Sequence, residues 1–212
     1  MLKINEIFYS IQGESSYAGS PTVFVRTTGC NLRCTYCDTK YSYYEGNLQT
    51  AEVVLELIQS FGANYVCITG GEPLLQKECL PLMKTLADQG YLVSLETSGS
   101  KSTKGVDPRV KVVLDVKTPD SGAAESFLTE NLNELNSLTE FKFVLCSDRD
   151  FDWSENFCRQ HQIFEKYLVL YSPSYDQVTP LWLAEKILAK KSSARLQLQQ
   201  HKYIWSAGTR GV

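Results

Sequence analysis

Strand-length apolar segments alternate with stretches of helical periodicity along most of this chain, and that alternation restricts the folds open to it. The predicted strands are TVFVRTT (22–28), NYVCIT (64–69), YLVSLE (91–96), VKVVLDV (110–116), EFKFVLC (140–146), KYLVLY (166–171) and RLQLQQ (195–200). Several are almost continuously apolar, which is typical of strands covered on both faces. Strands that alternate with helices form right-handed βαβ units. We therefore predict an α/β fold with a mainly parallel sheet, either open or curled into a partial barrel.

Three amphipathic helices are predicted between these strands. Thr50 is the expected cap of the first, and Thr179-Pro180 is the expected start of the third. The residues expected to point inward are Val53, Val54, Leu57, Ile58 and Phe61 in the first helix, Cys79, Leu82, Met83 and Leu86 in the second, and Leu183, Ala184, Ile187 and Leu188 in the third.

The unusual motifs of the sequence each follow a predicted strand. They are a cysteine-rich loop after 22–28, Gly70-Gly71-Glu72-Pro73 after 64–69, Thr97-Ser98-Gly99 after 91–96 and Lys117-Thr118-Pro119 after 110–116. The carboxyl ends of parallel strands meet at one edge of a sheet or barrel, where active sites of such folds lie. We expect these motifs to form one site.

Length and composition narrow the class of protein. The 212 residues are expected to form a single domain spanning 1–212, without internal repeats or linkers. A formal charge of −3 argues against direct nucleic-acid binding, which requires a basic face. The sequence shows neither a secretory leader nor an apolar run long enough to span a bilayer, so we expect a cytoplasmic protein without a membrane partner. In that reducing compartment, clustered thiols favour metal binding over disulfides.

Three of the seven cysteines, Cys30, Cys34 and Cys37, form the pattern C-x₃-C-x₂-C. Three thiolates from one loop suit three corners of a four-iron cluster and leave the fourth iron open to an exogenous ligand. The alternative is a structural zinc site, which needs a fourth Cys or His and usually shows paired C-x₂-C motifs. Only one C-x₂-C is present, so the cluster is favoured. Outside the loop, we expect the other four cysteines to be small buried hydrophobic residues: Cys67, Cys79, Cys146 and Cys158.

The cysteine loop, with the aromatic Tyr36 before its last cysteine, resembles the signature of radical S-adenosylmethionine enzymes. In that superfamily S-adenosylmethionine chelates the open iron, and an electron from the cluster cleaves it to a 5′-deoxyadenosyl radical. Gly70-Gly71-Glu72 is similar to the glycine-rich motif that meets the methionine amino group. The resemblance implies a partial (modified) TIM-type barrel of mainly parallel strands with outer helices, and a cluster loop after the first barrel strand.

Longer motifs are similar to one family within that superfamily, the 7-carboxy-7-deazaguanine synthases. They are EIFYSIQGE (6–14), GSPTVFVR (19–26) and CNLRCTYCDT (30–39). The family contracts 6-carboxy-5,6,7,8-tetrahydropterin to 7-carboxy-7-deazaguanine with loss of ammonia, on the route to queuosine and other 7-deazapurines. The resemblance therefore implies a carbon–nitrogen lyase that uses one 4Fe-4S cluster, S-adenosyl-L-methionine and Mg²⁺.

The resemblance also assigns roles to individual residues. Arg26 is expected to clamp the substrate carboxylate, and Thr39 to contact Mg²⁺ together with substrate and water. The expected substrate-binding residues are Ile11, Gln12, Gly13, Glu14, Arg26, Thr69 and Val212. The expected cofactor-binding residues are Tyr36, Cys37, Asp38, Gly70, Gly71, Glu72, Asp115, Val116, Lys117, Ser172, Pro173, Ser174 and Tyr175.

Three segments depart from the family pattern. Asp115-Val116-Lys117 stands where many relatives have Ser-Pro-Lys, and Ser172-Pro173-Ser174-Tyr175 stands where they have a Gln-Pro turn. The segment HKYIWSAGTRGV (201–212) is longer than in relatives whose C-terminal carboxylate enters the substrate site. In contrast, Glu96-Thr97-Ser98-Gly99 is similar to the family's Glu-Thr-Asn-Gly stretch, which is expected to line the cofactor.

The resemblance implies three kinds of partner: a small-molecule pterin substrate, an electron donor such as flavodoxin or ferredoxin, and a second copy in a homodimer. Two other functions remain open. A radical S-adenosylmethionine activase of a glycyl-radical enzyme shares the cysteine loop and a short chain. A zinc-stabilised binding module would be colourless and indifferent to dithionite. Gln12, Glu14 and Arg26 favour the pterin enzyme.

Overall fold

Seven parallel strands form the centre of the fold, as the alternating sequence pattern predicts. The computed structural model describes residues 1–206 and 208–212. Its nine strands are β1 (Leu2–Ile11), β2 (Pro21–Thr27), β3 (Asn47–Gln49), β4 (Tyr65–Gly70), β5 (Leu92–Thr97), β6 (Lys111–Asp115), β7 (Glu140–Leu145), β8 (Leu168–Pro173) and β9 (Arg195–Leu196). They form one sheet in the order β3-β1-β2-β4-β5-β6-β7-β8-β9. The sheet is an open partial barrel, which confirms the predicted α/β fold class.

The first and third strands were not predicted. β1 is antiparallel to β2, with Ile7 opposite Val25, and β3 is antiparallel to the start of β1. The sequence of β1, LKINEIFYSI, alternates apolar and polar residues instead of forming a continuous apolar run. This period of two is typical of an antiparallel strand that buries one face, here through Leu2 and Ile4.

The helices are α1 (Ala51–Ser60), α2 (Cys79–Asp88), α3 (Asp148–Gln160), α4 (Pro180–Lys190) and the short α5 (His201–Ile204). Single turns of 3-10 helix lie at Lys40–Tyr43, Pro73–Leu75, Pro119–Ser121, Ala124–Ser126 and Thr129–Asn133. The predicted caps are confirmed, because the side chains of Thr50 and Thr179 accept hydrogen bonds from the Val53 and Trp182 amides. None of the helices in residues 1–206 and 208–212 is long and apolar enough to cross a bilayer.

The predicted inward faces are only partly correct. All four residues named for α2 are buried, as are Val54 and Ile58 in α1 and Leu183 in α4. Other predictions were wrong, since these side chains are exposed: Val53 (43%), Leu57 (40%), Phe61 (37%) and Leu188 (75%). In α1 and α4 the buried stripe is narrower than the apolar pattern, whereas in α2 the two coincide.

Helix α3 was missed because its sequence, DRDFDWSENFCRQ, is mostly polar. Its buried residues are Asp150, Phe151, Ser154, Glu155 and Cys158, which recur at helical spacing. The buried acids are paired inside the fold. Asp150 accepts hydrogen bonds from the Asp120 and Cys146 amides, and Glu155 accepts one from the hydroxyl of Tyr171.

Two hydrophobic clusters divide the core, one around β1, β2, β4 and β5 with α1 and α2, the other around β6, β7 and β8 with α3 and α4. Cys79 and Cys158 lie in these clusters, as predicted. Cys67 is also buried, whereas Cys146 is partly exposed, contrary to expectation. The strand predicted at 195–200 is shorter than expected and ends at Leu196, and the side chain of the next residue, Gln197, is hydrogen-bonded to Ser15 on the loop between β1 and β2.

Candidate active site

A cavity of about 310 Å³ lies inside the partial barrel and extends to the carboxyl ends of the parallel strands. Strand register brings its residues together, with Arg26 beside Thr69 and Asp115 beside Lys142. The predicted site residues that line it are Ile11, Gln12, Gly13, Glu14, Arg26, Cys30, Cys34, Tyr36, Cys37, Asp38, Thr39, Thr69, Gly70, Gly71, Asp115, Lys117, Ser174, Tyr175 and Val212. In the described part of the chain, four do not: Glu72, Val116, Ser172 and Pro173.

The cysteine loop follows β2 directly and packs against the glycine turn at the end of β4. The Glu72 amide donates a hydrogen bond to the Gly29 carbonyl over 2.8 Å. A side chain at Gly71 would not fit, since its Cβ would lie 2.1 Å from the Gly29 oxygen and 2.8 Å from Cys30 Cβ. Glycine at 71 therefore permits close contact between this turn and the first cysteine of the loop.

Cys30, Cys34 and Cys37 lie together at the wall of the cavity. Within residues 1–206 and 208–212, no three Cys, His, Asp or Glu side chains converge on a point that could hold one metal ion. A tetrahedral zinc site needs such convergence. A cuboidal cluster does not, because each of its irons takes a different thiolate. Cys30, Cys34 and Cys37 therefore stay predicted ligands of a cluster.

Glu72 connects the ends of β4 and β5 instead of facing the cavity. Its side chain is fully buried. The carboxylate accepts hydrogen bonds from the Leu74 amide, from the Thr97 hydroxyl, and from both the amide and the hydroxyl of Ser98. These bonds fix the glycine turn and the strand end on which Ser98 lines the cavity.

The loop between β1 and β2 forms the opposite end of the cavity. Gln12 is buried, and its Oε1 accepts a hydrogen bond from the Glu14 amide, while its Nε2 has no partner among the described residues. Gly13 leaves no room for a side chain, because a Cβ there would lie 2.5 Å from His201 Nδ1. Other buried polar atoms along the cavity also lack partners in the described chain: Tyr36 Oη, Glu96 Oε1 and Ser174 Oγ. These free polar atoms are suited to bind a polar ligand.

Lys142 lies deep in the cavity wall and contacts three carboxylates. Its Nζ forms an ion pair with Glu14 and lies 3.1 Å from Asp115 Oδ2 and 3.8 Å from Glu96 Oε2. With its side chain only 6% exposed, the charge depends on these partners instead of on water. Lys142 was not among the predicted site residues, although its position between Phe141 and Phe143 in the strand EFKFVL was a signal for it.

These buried groups ionise differently. Burial raises the pKa of Glu96 to about 8, an effect that Lys142 opposes and that Glu14 and Asp115 reinforce. Burial also opposes ionisation of Asp115, but Lys117 and Lys142 outweigh it and lower the Asp115 pKa to about 2. The Glu14 pKa is likewise lowered, because Lys142 outweighs burial. At neutral pH the cavity therefore contains ionised Glu14 and Asp115 beside a neutral Glu96.

Lys117 connects this charge cluster to the cysteine loop. Its Nζ lies 2.9 Å from Asp115 Oδ1 and 5.6 Å from the centre of the Tyr36 ring. The pKa of Lys117 is raised despite burial, mainly by the Asp115 carboxylate. The Lys117 ammonium group therefore stays charged at the wall of the cavity.

Arg26 is the penultimate residue of β2, and one edge of its guanidinium group is bound by Glu6. Its Nε lies 2.7 Å from Glu6 Oε1, which also accepts a hydrogen bond from the Tyr41 hydroxyl. Its Cζ lies 5.6 Å from the centre of the Phe8 ring. Because Glu6 engages Nε, the two Nη groups of Arg26 are left to bind a carboxylate in the cavity.

The C-terminal segment covers one side of the cavity, where sequence analysis placed only Val212. His201 and Lys202 line the cavity, and Lys202 Nζ lies 2.9 Å from Asp38 Oδ2. Arg210 stacks on Tyr41, with its Cζ 3.7 Å from the ring centre. Thr39 also lines the cavity, with its hydroxyl 3.8 Å from Cys37 Sγ.

Comparison with known families shows what this arrangement is similar to. A family model described as the Radical SAM superfamily matches residues 24–118, which span the cysteine loop, the glycine turn and Lys117. The chain is 43% identical over its full length to a 7-carboxy-7-deazaguanine synthase from Chlorobaculum tepidum, covering 97% of that protein. It is 40% identical to the protein of the same name from Koribacter versatilis, with both chains fully covered.

Solved structures agree with these sequence matches. QueE from Escherichia coli superposes with a TM-score of 0.78 at 25% identity, over 93% of each chain. A structure of TYW1 with a lysine-pyruvate adduct superposes with a TM-score of 0.57 at 15% identity, covering 81% of this chain and 74% of that one. The second match shows the fold alone.

Proposed function

The chain belongs to the 7-carboxy-7-deazaguanine synthase family of the radical S-adenosylmethionine superfamily, and on that premise we propose that it contracts 6-carboxy-5,6,7,8-tetrahydropterin to 7-carboxy-7-deazaguanine. The balance is simple, since substrate equals product plus ammonia and no net oxidant is consumed. The enzyme is thus a carbon–nitrogen lyase. A 4Fe-4S cluster and S-adenosylmethionine, when bound, would supply the electron and the radical that starts the rearrangement.

One observation carries this proposal: a single cavity runs from the three thiols of the cysteine loop to the polar loop at 12–14. Cofactor and substrate must meet for hydrogen abstraction, and a shared cavity allows that contact. The volume of about 310 Å³ suits small ligands.

The substrate would lie between Arg26 and the 12–14 loop. The free Nη groups of Arg26 would clamp its carboxylate, and the unpaired Nε2 of Gln12 would donate to an acceptor atom of the pterin. Glu14, ionised beside Lys142, would accept hydrogen bonds from ring N–H groups. Ile11, Gly13, Thr69 and Val212 would complete the binding surface.

The residues present fit the absent cofactors. The close approach of Gly71 to the cysteine loop leaves a backbone edge open to the cofactor, and Tyr36, Asp38 and Lys117 line the adjacent wall. Asp115, Gly70, Ser174 and Tyr175 also line the cavity, so we propose them as cofactor contacts. For Glu72, Val116, Ser172 and Pro173 we propose an indirect role in shaping these loops.

We further propose that Mg²⁺ binds at Thr39, with the remaining ligands from substrate and water. Thr39 lines the cavity next to the last cysteine of the loop. A lone hydroxyl is a weak magnesium ligand, so the ion would assemble with substrate.

Partners complete the proposal. Residues 1–212 would act as one domain, which the continuous sheet supports. An electron donor such as flavodoxin or ferredoxin would reduce the cluster, and a second copy would form a homodimer, without direct nucleic-acid contact. A reducing compartment such as the cytoplasm is proposed because the loop needs reduced thiols.

The test is anaerobic incubation with the pterin, S-adenosylmethionine, Mg²⁺ and dithionite, followed by mass analysis of the product. We expect 7-carboxy-7-deazaguanine and ammonia in equal amounts, and no product when S-adenosylmethionine is omitted. A protein with an intact, reducible cluster that leaves the pterin unchanged would refute the proposal and return the activase function to consideration.

A further inference from the structure

The hairpin loop, residues 12–20, connects β1 to β2 at the end of the barrel opposite the cysteine loop. Its first three residues line the cavity. The ends of the hairpin loop are joined by hydrogen bonds from the Gln12 amide to the Ser20 carbonyl and from the Gly19 amide to the Gln12 carbonyl. These bonds fix its base, and further along the loop the Ser16 amide donates a hydrogen bond to Glu140 and the Ala18 amide donates one to the Ser15 carbonyl.

The segment that follows Glu14 contains a backbone conformation that needs support. Ser15 has φ of 62° and is only 2% exposed. The left-handed region is unfavourable for residues other than glycine, and such residues persist where their surroundings hold them. The conformation of Ser15 sets the direction of the chain immediately after Glu14, whose carboxylate faces the cavity.

Gln197 supplies the support from the far end of the chain. Its Oε1 accepts a hydrogen bond from the Ser15 amide over 2.9 Å, and its Nε2 donates to the Ser15 carbonyl over 2.8 Å. Gln197 is itself 8% exposed, and its backbone amide donates to the Tyr171 carbonyl on β8. The buried side-chain amide of Gln197 thus pairs with both the backbone N–H and the backbone carbonyl of Ser15.

Neighbouring contacts attach the same loop to the last strands. Gln199 Nε2 donates to Glu14 Oε1 over 3.0 Å, and the Gln200 amide donates to the Gly13 carbonyl over 3.1 Å. The hairpin loop lies near one edge of the open sheet. It is therefore anchored by residues that follow β9, the strand at the other edge. Gln197 does not line the cavity in the described part of the chain, so its effect on the cavity is exerted through Ser15.

We propose that Gln197 is a positioning residue that holds Ser15 in its left-handed conformation and so presents Gln12 and Glu14 to the substrate. This inference rests on the proposed function, which assigns the pterin to the hairpin loop. Gln197 preorganises the hairpin loop for substrate binding and does not contact the reacting atoms.

Gln197→Ala tests the proposal. It leaves the buried Ser15 amide unpaired and removes one of the two hydrogen bonds to the Ser15 carbonyl, which loosens the hairpin loop, so the dissociation constant for the pterin should rise about tenfold. The KM should rise by a similar factor with little change in kcat, while iron content and S-adenosylmethionine affinity stay as in the wild type. Hydrogen exchange of the amides at 12–20 should become faster.

Ser15→Gly supplies the rescue, because glycine adopts positive φ without the cost that serine bears. The double variant Gln197→Ala/Ser15→Gly should bind the pterin more tightly than Gln197→Ala alone and should recover part of the exchange protection. Failure of Ser15→Gly to restore either quantity would overturn the proposal, since the lost property would not be the conformation of Ser15.

Asn136→Ala is the matched control. Asn136 also pairs its side-chain amide with backbone groups, those of Val110 and Leu138, at the same end of the sheet, but does not line the cavity in the described chain. It should lower thermal stability without changing pterin affinity. If Gln197→Ala behaves in the same way, its role is only structural. If the wild type fails to bind the pterin, the proposed function fails, and the exchange of residues 12–20 still decides whether Gln197 holds the loop.

Discussion

At the scale of single residues, burial separates the three loop cysteines from a fourth cysteine that lines the same cavity. Cys30, Cys34 and Cys37 are partly exposed on one loop of the cavity. Cys67 also lines the cavity, but it lies on β4 and is fully buried. Burial, reinforced by Glu96, raises the Cys67 pKa to about 12, so this thiol stays protonated at neutral pH. Burial also raises the pKa of Cys30 and Cys34, so it is exposure on the loop, and not the pKa, that separates the loop cysteines from Cys67.

Substituting Cys30, Cys34 or Cys37 by alanine should abolish cluster assembly and turnover together, because each change removes one of only three thiolates. Cys67→Ala is the control and should retain the cluster. Cluster assembly is measured from the iron and sulfide content and from the visible absorption of the anaerobically purified protein. Loss of the cluster in Cys67→Ala would instead indicate a four-cysteine site.

Thr39 tests the magnesium proposal. Thr39→Ala should keep the cluster and S-adenosylmethionine binding, because neither uses its hydroxyl. The Mg²⁺ concentration for half-maximal rate should rise roughly tenfold, since one neutral ligand is lost from an ion that keeps its other oxygens. Thr39→Ser should largely restore the wild-type curve. Superimposable Mg²⁺ titrations of all three proteins would show that Thr39 is not a ligand.

Glu96 predicts a pH dependence. Its pKa of about 8 in the buried site means that the neutral acid predominates below that pH and the carboxylate above it. Activity that depends on the neutral form should therefore fall as pH rises through about 8. Glu96→Gln preserves a neutral side chain of the same shape and should lack this fall. The measurement is kcat/KM against pH for both proteins, and a parallel fall in the variant would assign the titration to another group.

At the scale of secondary structure, caps and connections determine where elements begin and which elements face the cavity. The Thr50 hydroxyl accepts a hydrogen bond from the Val53 amide at the start of α1, which packs beneath the first strands. The parallel strands have their carboxyl ends on one side, so the short loops that follow β2, β4, β5 and β6 meet there. The outer helices pack against the strands and so hold in place the loops that form the cavity.

Thr50→Ala should lower the free energy of unfolding by about 1 kcal/mol, because the first turn of α1 loses its cap. Chemical denaturation measures this change. Thr129→Ala is a suitable control, since Thr129 is exposed and its side chain makes no hydrogen bond within the described residues. Equal stability of the two variants would mean that the cap contributes nothing. Turnover should be unchanged in both, because neither residue lines the cavity in the described chain.

At the scale of the whole molecule, buried ion pairs join distant parts of the chain. Lys142 on β7 contacts Glu14 on the hairpin loop and Asp115 on β6, which brings together segments more than a hundred residues apart in sequence. Removing the cation would leave several buried carboxylates without compensation. The same cluster therefore shapes the cavity and stabilises the fold.

Lys142→Met should destabilise the protein by about 3–5 kcal/mol at neutral pH. The pKa of Asp115 is lowered in the wild type, so the stability it contributes is present above its ordinary pKa and is lost as pH falls toward about 2. In the variant the carboxylates take up protons on acidification, so the difference between the two proteins should shrink at lower pH. Denaturation at several pH values tests this.

The control is Lys84→Met, which removes an exposed ion pair with Asp88. Exposed pairs contribute little to stability, so this variant should stay close to the wild type at every pH. A Lys142→Met protein that is as stable as Lys84→Met would contradict the account of the charge cluster.

The sequence by itself determined the fold class and the cysteine loop, because both depend on local patterns. Apolar runs and helical periodicity indicate which residues of one segment are buried. The spacing of Cys30, Cys34 and Cys37 indicates a site built from one loop. Polar elements were missed for the same reason, as in α3, whose buried acids are satisfied by distant partners. The antiparallel strand β1 was missed because its alternating pattern differs from a buried parallel strand.

Only the tertiary structure decided the electrostatics and the far wall of the cavity. Lys142 acquires its role from three carboxylates on other elements, and Glu96 becomes neutral because burial and neighbouring charges act together. The carboxylate of Glu72 accepts hydrogen bonds from Thr97 and Ser98 at the end of β5. Gln197 supports Ser15 across 182 residues of sequence. Such contacts depend on how the chain closes in space, because Coulomb and hydrogen-bond energies follow distance between atoms and not distance along the sequence.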